Sequence, residues 1–431
     1  MTVVATVLIA ATEIPAIALE GDLPTSVGLL QLGAEPAVQL PGGEVTAEAT
    51  AATVLAVRAG ATPIGFLHAP LNITSLQPGE VSEFAREALG GASTVESNDR
   101  RPRRVDAPVT VIVPTRGRSS QLQRCLESLA AIPRADLEFI VVNNSPGDTG
   151  TREVVKRIAD RDPRFRYFEE SRPGSSVARN RGLAEASGDL VAFTDDDVVV
   201  DGEWLDWLLD PFDDPAVQAT TGMVLPLELI TGAQKNFERF AGFSKGLERR
   251  EYSLSAEDDH DAPFFPFWGA VFGSGNSMAF RRTGLVRRQG FDPSLGAGSV
   301  ALAGSDVEAM SAAILDGGAL VYEPRSICWH EHRRDGGSLE RQIFNYGVGC
   351  GAICTKYLST DMRFLTAFAK TVARALVGRA RLSQASAERV ADRRKPLRHA
   401  FAKGLACGPI YYVRSKRWSR QLNLGEVING R

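Results

Sequence analysis

The sequence predicts an α/β protein: a Rossmann-like, mainly parallel sheet with helices on both faces, flanked by a small N-terminal α+β domain and a helical C-terminal tail. Three observations predict it. From Val109 onward, short apolar runs alternate with amphipathic stretches of roughly ten residues, the rhythm of βαβ units. Through residues 1–90 short apolar segments alternate instead with Gly/Pro turns, as in a strand-rich unit. Beyond Leu339, Arg and Lys are interspersed among apolar residues in a helical pattern, with breaks expected at Gly351, Pro396 and Gly408.

Size and composition allow this. The chain has 431 residues, 44% hydrophobic and 23% charged, enough for two or three domains with cores of their own. A net charge of -3 hides a gradient. Residues 1–100 hold eleven Asp/Glu against three Lys/Arg, whereas residues 361–431 hold sixteen Lys/Arg against four Asp/Glu. The five cysteines, Cys125, Cys328, Cys350, Cys354 and Cys407, lack zinc-knuckle spacing and suit a reducing, cytosolic setting. The start, MTVVATVLIAATE, lacks a positive leader segment and reads as a strand rather than a signal peptide. The longest uncharged run, Ala262 to Phe280, contains Pro263 and Pro266, so no transmembrane helix is expected.

Taken in order, residues 1–95 form the small N-terminal domain, with one late helix near Val81 to Leu89 and no catalytic constellation. Residues 96–107, polar and proline-containing, are the linker. The catalytic domain spans 108–335. There VTVIVP is a buried strand, SSQLQRCLESLAA a helix, LEFIVVNN a strand and TREVVKRIAD a helix. RFRYFEE, SSVARNRGLAEASG and DLVAFTDDD follow as strand, helix and strand. Residues 336–431 are the basic helical region.

The last of those strands raises the functional question. Asp195, Asp196 and Asp197 end an apolar run at the edge where parallel sheets bind ligands. Three adjacent carboxylates repel, and Mg²⁺ or Mn²⁺ with a diphosphate would offset that cost. The alternatives are a solvated acidic turn or the D-x-D of an aspartyl phosphatase, which belongs on a first strand rather than a fourth. In VPTRGRSSQL, Pro114 ends a strand and Gly117 permits a turn, leaving Arg116 or Arg118 to meet a nucleotide. The Asn pair of VVNNSPG either reads a base edge or makes an Asx turn. In RPGSSVARNRGL, Arg179 stands one turn into a helix, where it suits a phosphate or carboxylate.

Six motifs in order, VIVPTRGR, FIVVNNS, PGSSVARNRGL, GDLVAFTDDD, GSGNSMAFRR and GSDVE, resemble the family-2 glycosyltransferases of the GT-A fold. The resemblance runs from Val109 to about His332. It implies an inverting, metal-dependent transfer from a nucleotide-diphospho sugar, in the biosynthesis of cell-surface polysaccharide or glycoconjugate. It implies that Pro114, Thr115 and Arg116 line the nucleotide pocket and that Arg179 lies near the donor. Asp195 and Asp197 would be the outer carboxylates of the metal-binding D-x-D, with Asp196 near the ribose. Trp268, Gly275 and Asn276 would floor the sugar pocket. Asn143 stands where the family often has Asp, and Ser305-Asp306 where it usually has Glu-Asp. Asp306 would then be the general base, a role that suits a carboxylate opposite the leaving diphosphate. His330, after the strand ALVYEP, is read as a further metal ligand opposite the D-x-D because imidazole commonly binds metals, with His332 as the neighbouring alternative and a packing or capping role as the other reading of either.

Rival functions are a phosphotransfer enzyme, either the aspartyl phosphatase or a sugar nucleotidyltransferase, and a catalytically inactive sugar-nucleotide-binding module. Expected partners are the donor and a sugar or lipid-linked acceptor. No nucleic acid is expected, because nothing in the catalytic region reads polymer bases. The basic region 361–431 carries Phe364, Leu365, Phe368, Val372 and Leu376 on one stripe, with Tyr411, Tyr412 and Trp418 beyond. It either packs on the catalytic domain or touches an anionic membrane, which would place the enzyme peripherally at the inner, cytoplasmic face.

Overall fold

The computed structural model describes residues 7–9, 24–32, 37–41, 52–59, 61–69, 100–145, 147–255, 265–369 and 395–424. The mixed α/β architecture is as expected, and its longest parallel part is the block β8-β7-β6-β9 of a nine-stranded sheet. These strands are β6 (Val109–Thr115), β7 (Leu137–Asn143), β8 (Phe165–Glu169) and β9 (Leu190–Phe193). Past β9 the direction changes. β14 (Met278–Arg281) runs antiparallel to β9 and to β11 (Val217–Pro226). β15 (Ala319–His330) continues parallel to β11 and carries β10 (Val198–Val200) and β13 (Arg250–Tyr252) antiparallel.

The alternation of the strand residues decides which helix lies on which face. Val109, Val111 and Val113 point to a core shared with α1 (Ser119–Ala130) and α2 (Thr149–Ala159). The α1 stripe Leu122, Cys125, Leu126 and Leu129 recurs at helical spacing and is fully buried there. Ile112, Ile140 and Val142 point the other way, toward α3 (Ser175–Glu185). Gly182 lets α3 lie against β6, since a Cβ there would stand 2.5 Å from Ile112 Cγ2. Helices therefore cover both faces, which is why strands this apolar can exist.

The N-terminal strands build a second sheet from β1 (Val7–Ile9), β2 (Thr25–Leu32), β3 (Ala37–Gln39), β4 (Ala52–Ala59) and β5 (Thr62–Ala69). Its order is β1-β5-β4-β2-β12, with β3 on β2, and β12 (Glu228–Leu229) comes from the catalytic region. The start of the chain does supply a strand, β1; the helix expected near Val81 to Leu89 lies outside the described residues. Arg58, buried on β4, pairs with buried Asp201 at 3.1 Å. The segment expected as a linker is held in place where it is described: Arg100 bonds Asp210 at 2.8 Å and Arg104 bonds Asp136 at 2.9 Å.

After β15 come α8 (Gly336–Thr360) and α9 (Lys395–Gln421), running in the same direction. The breaks expected at Gly351 and Gly408 are corrected: both residues lie within continuous helices, and Pro396 sits in the first turn of α9, where proline is tolerated. The glycines are contact points instead. A Cβ on Gly408 would meet Gly351 Cα at 2.4 Å, and one on Gly347 would meet Phe401 O at 2.2 Å. Of the expected apolar stripe, Phe364 is buried while Leu365 and Phe368 are exposed; Val372 and Leu376 lie outside the described residues. Tyr412 turns inward, and Leu405, Ile410 and Val413 face outward. Among the described residues no helix is long and apolar enough to cross a membrane.

Candidate active site

The parallel block delivers its loops to one edge, and the three carboxylates stand there. Two arginines serve them, Arg179 for the first and Arg118 for the other two. Asp195 Oδ1 accepts from Arg179 Nη2 at 2.9 Å. Asp196 accepts from the Thr115 hydroxyl at 2.7 Å and from Arg118 Nη1 at 3.2 Å. Asp197 Oδ2 accepts from the same Arg118 nitrogen at 2.6 Å. Of the two arginines in the β6–α1 turn, Arg118 therefore bends inward and Arg116 remains exposed.

These cations do not cancel the cost of the cluster. Burial, only partly offset by Arg179, raises Asp195 to about 6, with Asp197, Asp196 and Asp306 adding repulsion. Asp196 is raised to about 6, chiefly by burial and by Asp197, against Arg118 and the Thr115 hydrogen bond. Asp197 is raised as well, again by burial first.

Asp306 enters from α7 (Ser305–Leu315), whose start follows Gly304 at φ 98°. Gly275 donates its backbone N–H to Asp306 Oδ2 at 3.0 Å. Arg179 joins the two halves of the site, because its Nη1 reaches the Ser305 hydroxyl at 3.3 Å while Nη2 holds Asp195. The loop between Phe272 and β14 is tied to the strand below by Thr194, whose hydroxyl donates to Asn276 O at 2.9 Å. Two donors in this region are buried and unpartnered among the described residues: Asn276 Nδ2 and Arg179 Nε. Trp268, half-buried, packs against the apolar cluster that includes Phe267 and Leu295, at the turn whose Gly269 abuts Val307 near the start of α7.

His330 ends β15 opposite Val198, with Nε2 3.4 Å from Asp197 Oδ1. Its Nδ1 lies 2.8 Å from His332 Nδ1, and His332 Nε2 lies 2.5 Å from Glu238 Oε1 on α5 (Gly232–Ala241). Burial, aided by the positive charges around it, keeps His330 neutral, well below its usual range.

Pro114, half-buried, and Thr115, buried, close β6 beside the cluster. Asn143 is buried in an Asx turn: Oδ1 accepts from Ser145 N at 2.9 Å and Nδ2 donates to the Tyr167 hydroxyl at 3.1 Å. Of the two readings of the Asn pair, the structure displays the turn. Sequence reasoning passed over Glu238, Tyr346 and Arg333. Tyr346 from α8 feels the charges of Asp306 and Asp195, and exposed Arg333 acts on Asp197. None carries a local signal, since each reaches the site only through the fold.

The donor set suits a hard divalent cation: buried carboxylates whose mutual repulsion a cation would offset, beside a neutral imidazole nitrogen facing Asp197. Among the described residues no three His, Cys, Asp or Glu side chains form a ready-made cage. Such ions commonly take one or two protein ligands and complete their shell with phosphate oxygens and water.

Residues 110–282 match the family described as Glycosyl transferase family 2. Glycosyltransferase GlyA of Streptococcus pneumoniae is 35% identical over 104 residues, 24% of this chain and 15% of that protein. The pre-mycofactocin glycosyltransferase of Mycobacterium tuberculosis is 28% identical over 226 residues, 52% of this chain and 43% of that one. The GalNAc(5)-diNAcBac-PP-undecaprenol beta-1,3-glucosyltransferase of Campylobacter jejuni is 36% identical over 91 residues, 21% of this chain and 29% of that protein. The alignments thus span less than half the length of each relative. Among solved structures, the mannosyltransferase PcManGT from Pyrobaculum calidifontis, in complex with GDP-Man and Mn²⁺, is 20% identical with a TM-score of 0.46. That likeness covers 77% of this chain and 88% of that one.

Proposed function

We propose, because residues 110–282 match glycosyl transferase family 2, that this protein transfers a sugar from a nucleotide-diphospho donor to an acceptor hydroxyl, with inversion at the anomeric carbon. The supporting observation is the single guanidinium of Arg179 spanning Asp195 and Ser305, which brings the carboxylate cluster and Asp306 onto one site.

Each residue then has a task. Asp306, held through Oδ2 by Gly275, keeps Oδ1 for the proton of the attacking hydroxyl. Asn276 Nδ2 and Arg179 Nε, buried without partners among the described residues, are ready donors for sugar hydroxyls or a phosphate oxygen. Trp268 and Gly275 complete the sugar pocket. Pro114, Thr115 and Arg116 line the nucleotide with the Asn143 turn, while exposed Arg116 and Arg333 face its phosphates. Asp195, Asp197 and His330 would hold Mg²⁺ or Mn²⁺, and Asp196 would lie near the ribose. When bound, the cation neutralises charge that develops on the departing diphosphate.

The division into 1–95, 96–107, 108–335 and 336–431 belongs to the same reading. So does peripheral attachment at the cytoplasmic face of a membrane. Leu405, Ile410 and Val413 are exposed on α9 beside exposed Lys403, Arg414 and Arg417, the makeup of a helix that lies on an anionic bilayer. A lipid-linked acceptor would be met there; the Campylobacter relative is named for one.

Thermal shift with nucleoside diphosphates, with and without Mn²⁺, tests the donor site, since ligands of the native state raise its melting temperature. The expected result is stabilisation that needs both ligands, with slow hydrolysis of a matching sugar nucleotide. No stabilisation by any diphosphate, or pyrophosphate release from a nucleoside triphosphate, would replace the reading with phosphotransfer. Donor binding without transfer or hydrolysis would make it an inactive module.

A further inference from the structure

The buried chain Asp197–His330–His332–Glu238 links the carboxylate cluster to α5 through side-chain contacts of 3.4, 2.8 and 2.5 Å. Its members come from three separated stretches of sequence, so the alignment is a product of the fold. With one proton on each ring, as a neutral imidazole ligand requires of His330, hydrogen-bond valence assigns the protons from one end. As a carboxylate, Glu238 can only accept, so His332 Nε2 must carry the proton between them. The remaining nitrogen of a neutral His332, Nδ1, is then an acceptor. His330 Nδ1 must therefore donate, which leaves the His330 Nε2 lone pair directed at Asp197 Oδ1. A lone pair and an ionised carboxylate oxygen facing one another attract nothing unless a proton or a metal cation lies between them.

The surroundings hold the rings in this pose. Phe237 packs on His332 with centroids 4.5 Å apart, and Phe243 meets His330 edge-on at 5.2 Å. Gln234, which closes the capping box at the start of α5, also reaches the His332 carbonyl at 3.4 Å. Glu238 is thereby fixed on a helix whose own start is tied to the histidine strand.

We infer that His332 and Glu238 are positioning residues that set the tautomer and ring orientation of His330, so that its Nε2 is ready for a divalent cation shared with Asp197. This rests on the proposed role of His330 as a ligand. Partners of this kind, lying behind a ligating histidine, typically change metal affinity about 10–100-fold when removed.

The experiment is titration of Mn²⁺ into the full-length protein by calorimetry, with pulsed EPR of the bound ion reporting coupling to an imidazole nitrogen. His332→Phe is expected to weaken Mn²⁺ at least about tenfold and to diminish that coupling. His332→Gln, whose amide can accept from His330 and donate to Glu238, is expected to stay within a few-fold of wild type. His330→Ala separates the two levels. If it binds Mn²⁺ as wild type does, His330 is not a ligand and the reading beneath fails. If it loses Mn²⁺ while His332→Phe keeps wild-type affinity and coupling, the positioning role is overturned and the ligand survives. Should His332→Phe not fold, Glu238→Gln carries the test, because its amide both donates and accepts and no longer dictates the proton on His332. Unchanged affinity in that variant overturns the inference.

Discussion

Gly275 and Asp306 are joined by a 3.0 Å hydrogen bond from backbone N–H to Oδ2, and a Cβ on Gly275 would stand 2.7 Å from that oxygen. The loop and the carboxylate therefore fit only as glycine against aspartate. Replacing Asp306 by Asn preserves the shape and removes the base. Transfer should fall by at least about a hundredfold, with donor affinity nearly unchanged. A rate within a few-fold of wild type would take Asp306 out of the mechanism. Glu308 is no substitute, because it is buried against Arg288 at 3.2 Å and Lys356 at 3.0 Å.

Asp197→Asn should abolish transfer, and chelation should inactivate the wild-type enzyme reversibly. The variant should melt no lower than wild type, since one of three mutually repelling charges is gone. Undiminished turnover in excess EDTA would count against a cation role altogether.

The raised carboxylates give a pH dependence of definite sign. Asp195 and Asp196 lie at about 6, above the ordinary value of 3.8, so the folded state binds protons more tightly than the unfolded one. Their contribution favours folding below about 4 and is lost as pH rises through about 6. In the ligand-free protein, Asp196→Asn should flatten the fall in melting temperature between pH 4 and pH 6. Identical slopes in variant and wild type would show that these groups do not carry it.

Lys356, half-buried on α8, lies between Asp292, at 2.8 Å, and Glu308. Asp292 is drawn down to about 2, by Lys356 first among the groups that oppose its burial, so its stabilisation is present above about 4 and fades as pH falls toward 2. Lys356→Met leaves two buried carboxylates short of a partner and should cost about 3 kcal/mol at neutral pH, read from denaturant unfolding. A loss below about 1 kcal/mol would mean that water reaches the pair.

The outward face of α9 should bring the protein down with vesicles containing anionic lipid at low salt, and not with neutral ones. Each basic side chain near such a surface contributes about 1 kcal/mol. Equal failure with both would leave α9 as a packing element.

Much of this was readable in the chain. β6 and β7 announce themselves because strands buried on both faces must be apolar throughout, and α1 because its stripe repeats at 3 and 4. The carboxylate cluster was visible because like charges at a strand end demand a reason. What stayed hidden depends on distance in sequence. Arg118 and Arg116 are indistinguishable until the turn decides which bends inward, and Glu238 meets His332 only once α5 is placed. Gly351 and Gly408 mislead for a related cause. Local propensity scores glycine as a helix breaker, whereas a helix pair this close requires it.

The strand β12 and the Arg58–Asp201 pair decide where this protein can be cut. A fragment starting at residue 108 would lack β2, leaving β12 with bare pairing groups, and would lack Arg58, leaving buried Asp201 without that cation. Asp201 follows β10, the short strand that leads directly from Asp197, so the damage would begin a few residues from the chemistry. Expression trials and crystallisation fragments should therefore keep the N-terminal strands attached, even though none of the residues proposed for the chemistry comes from them.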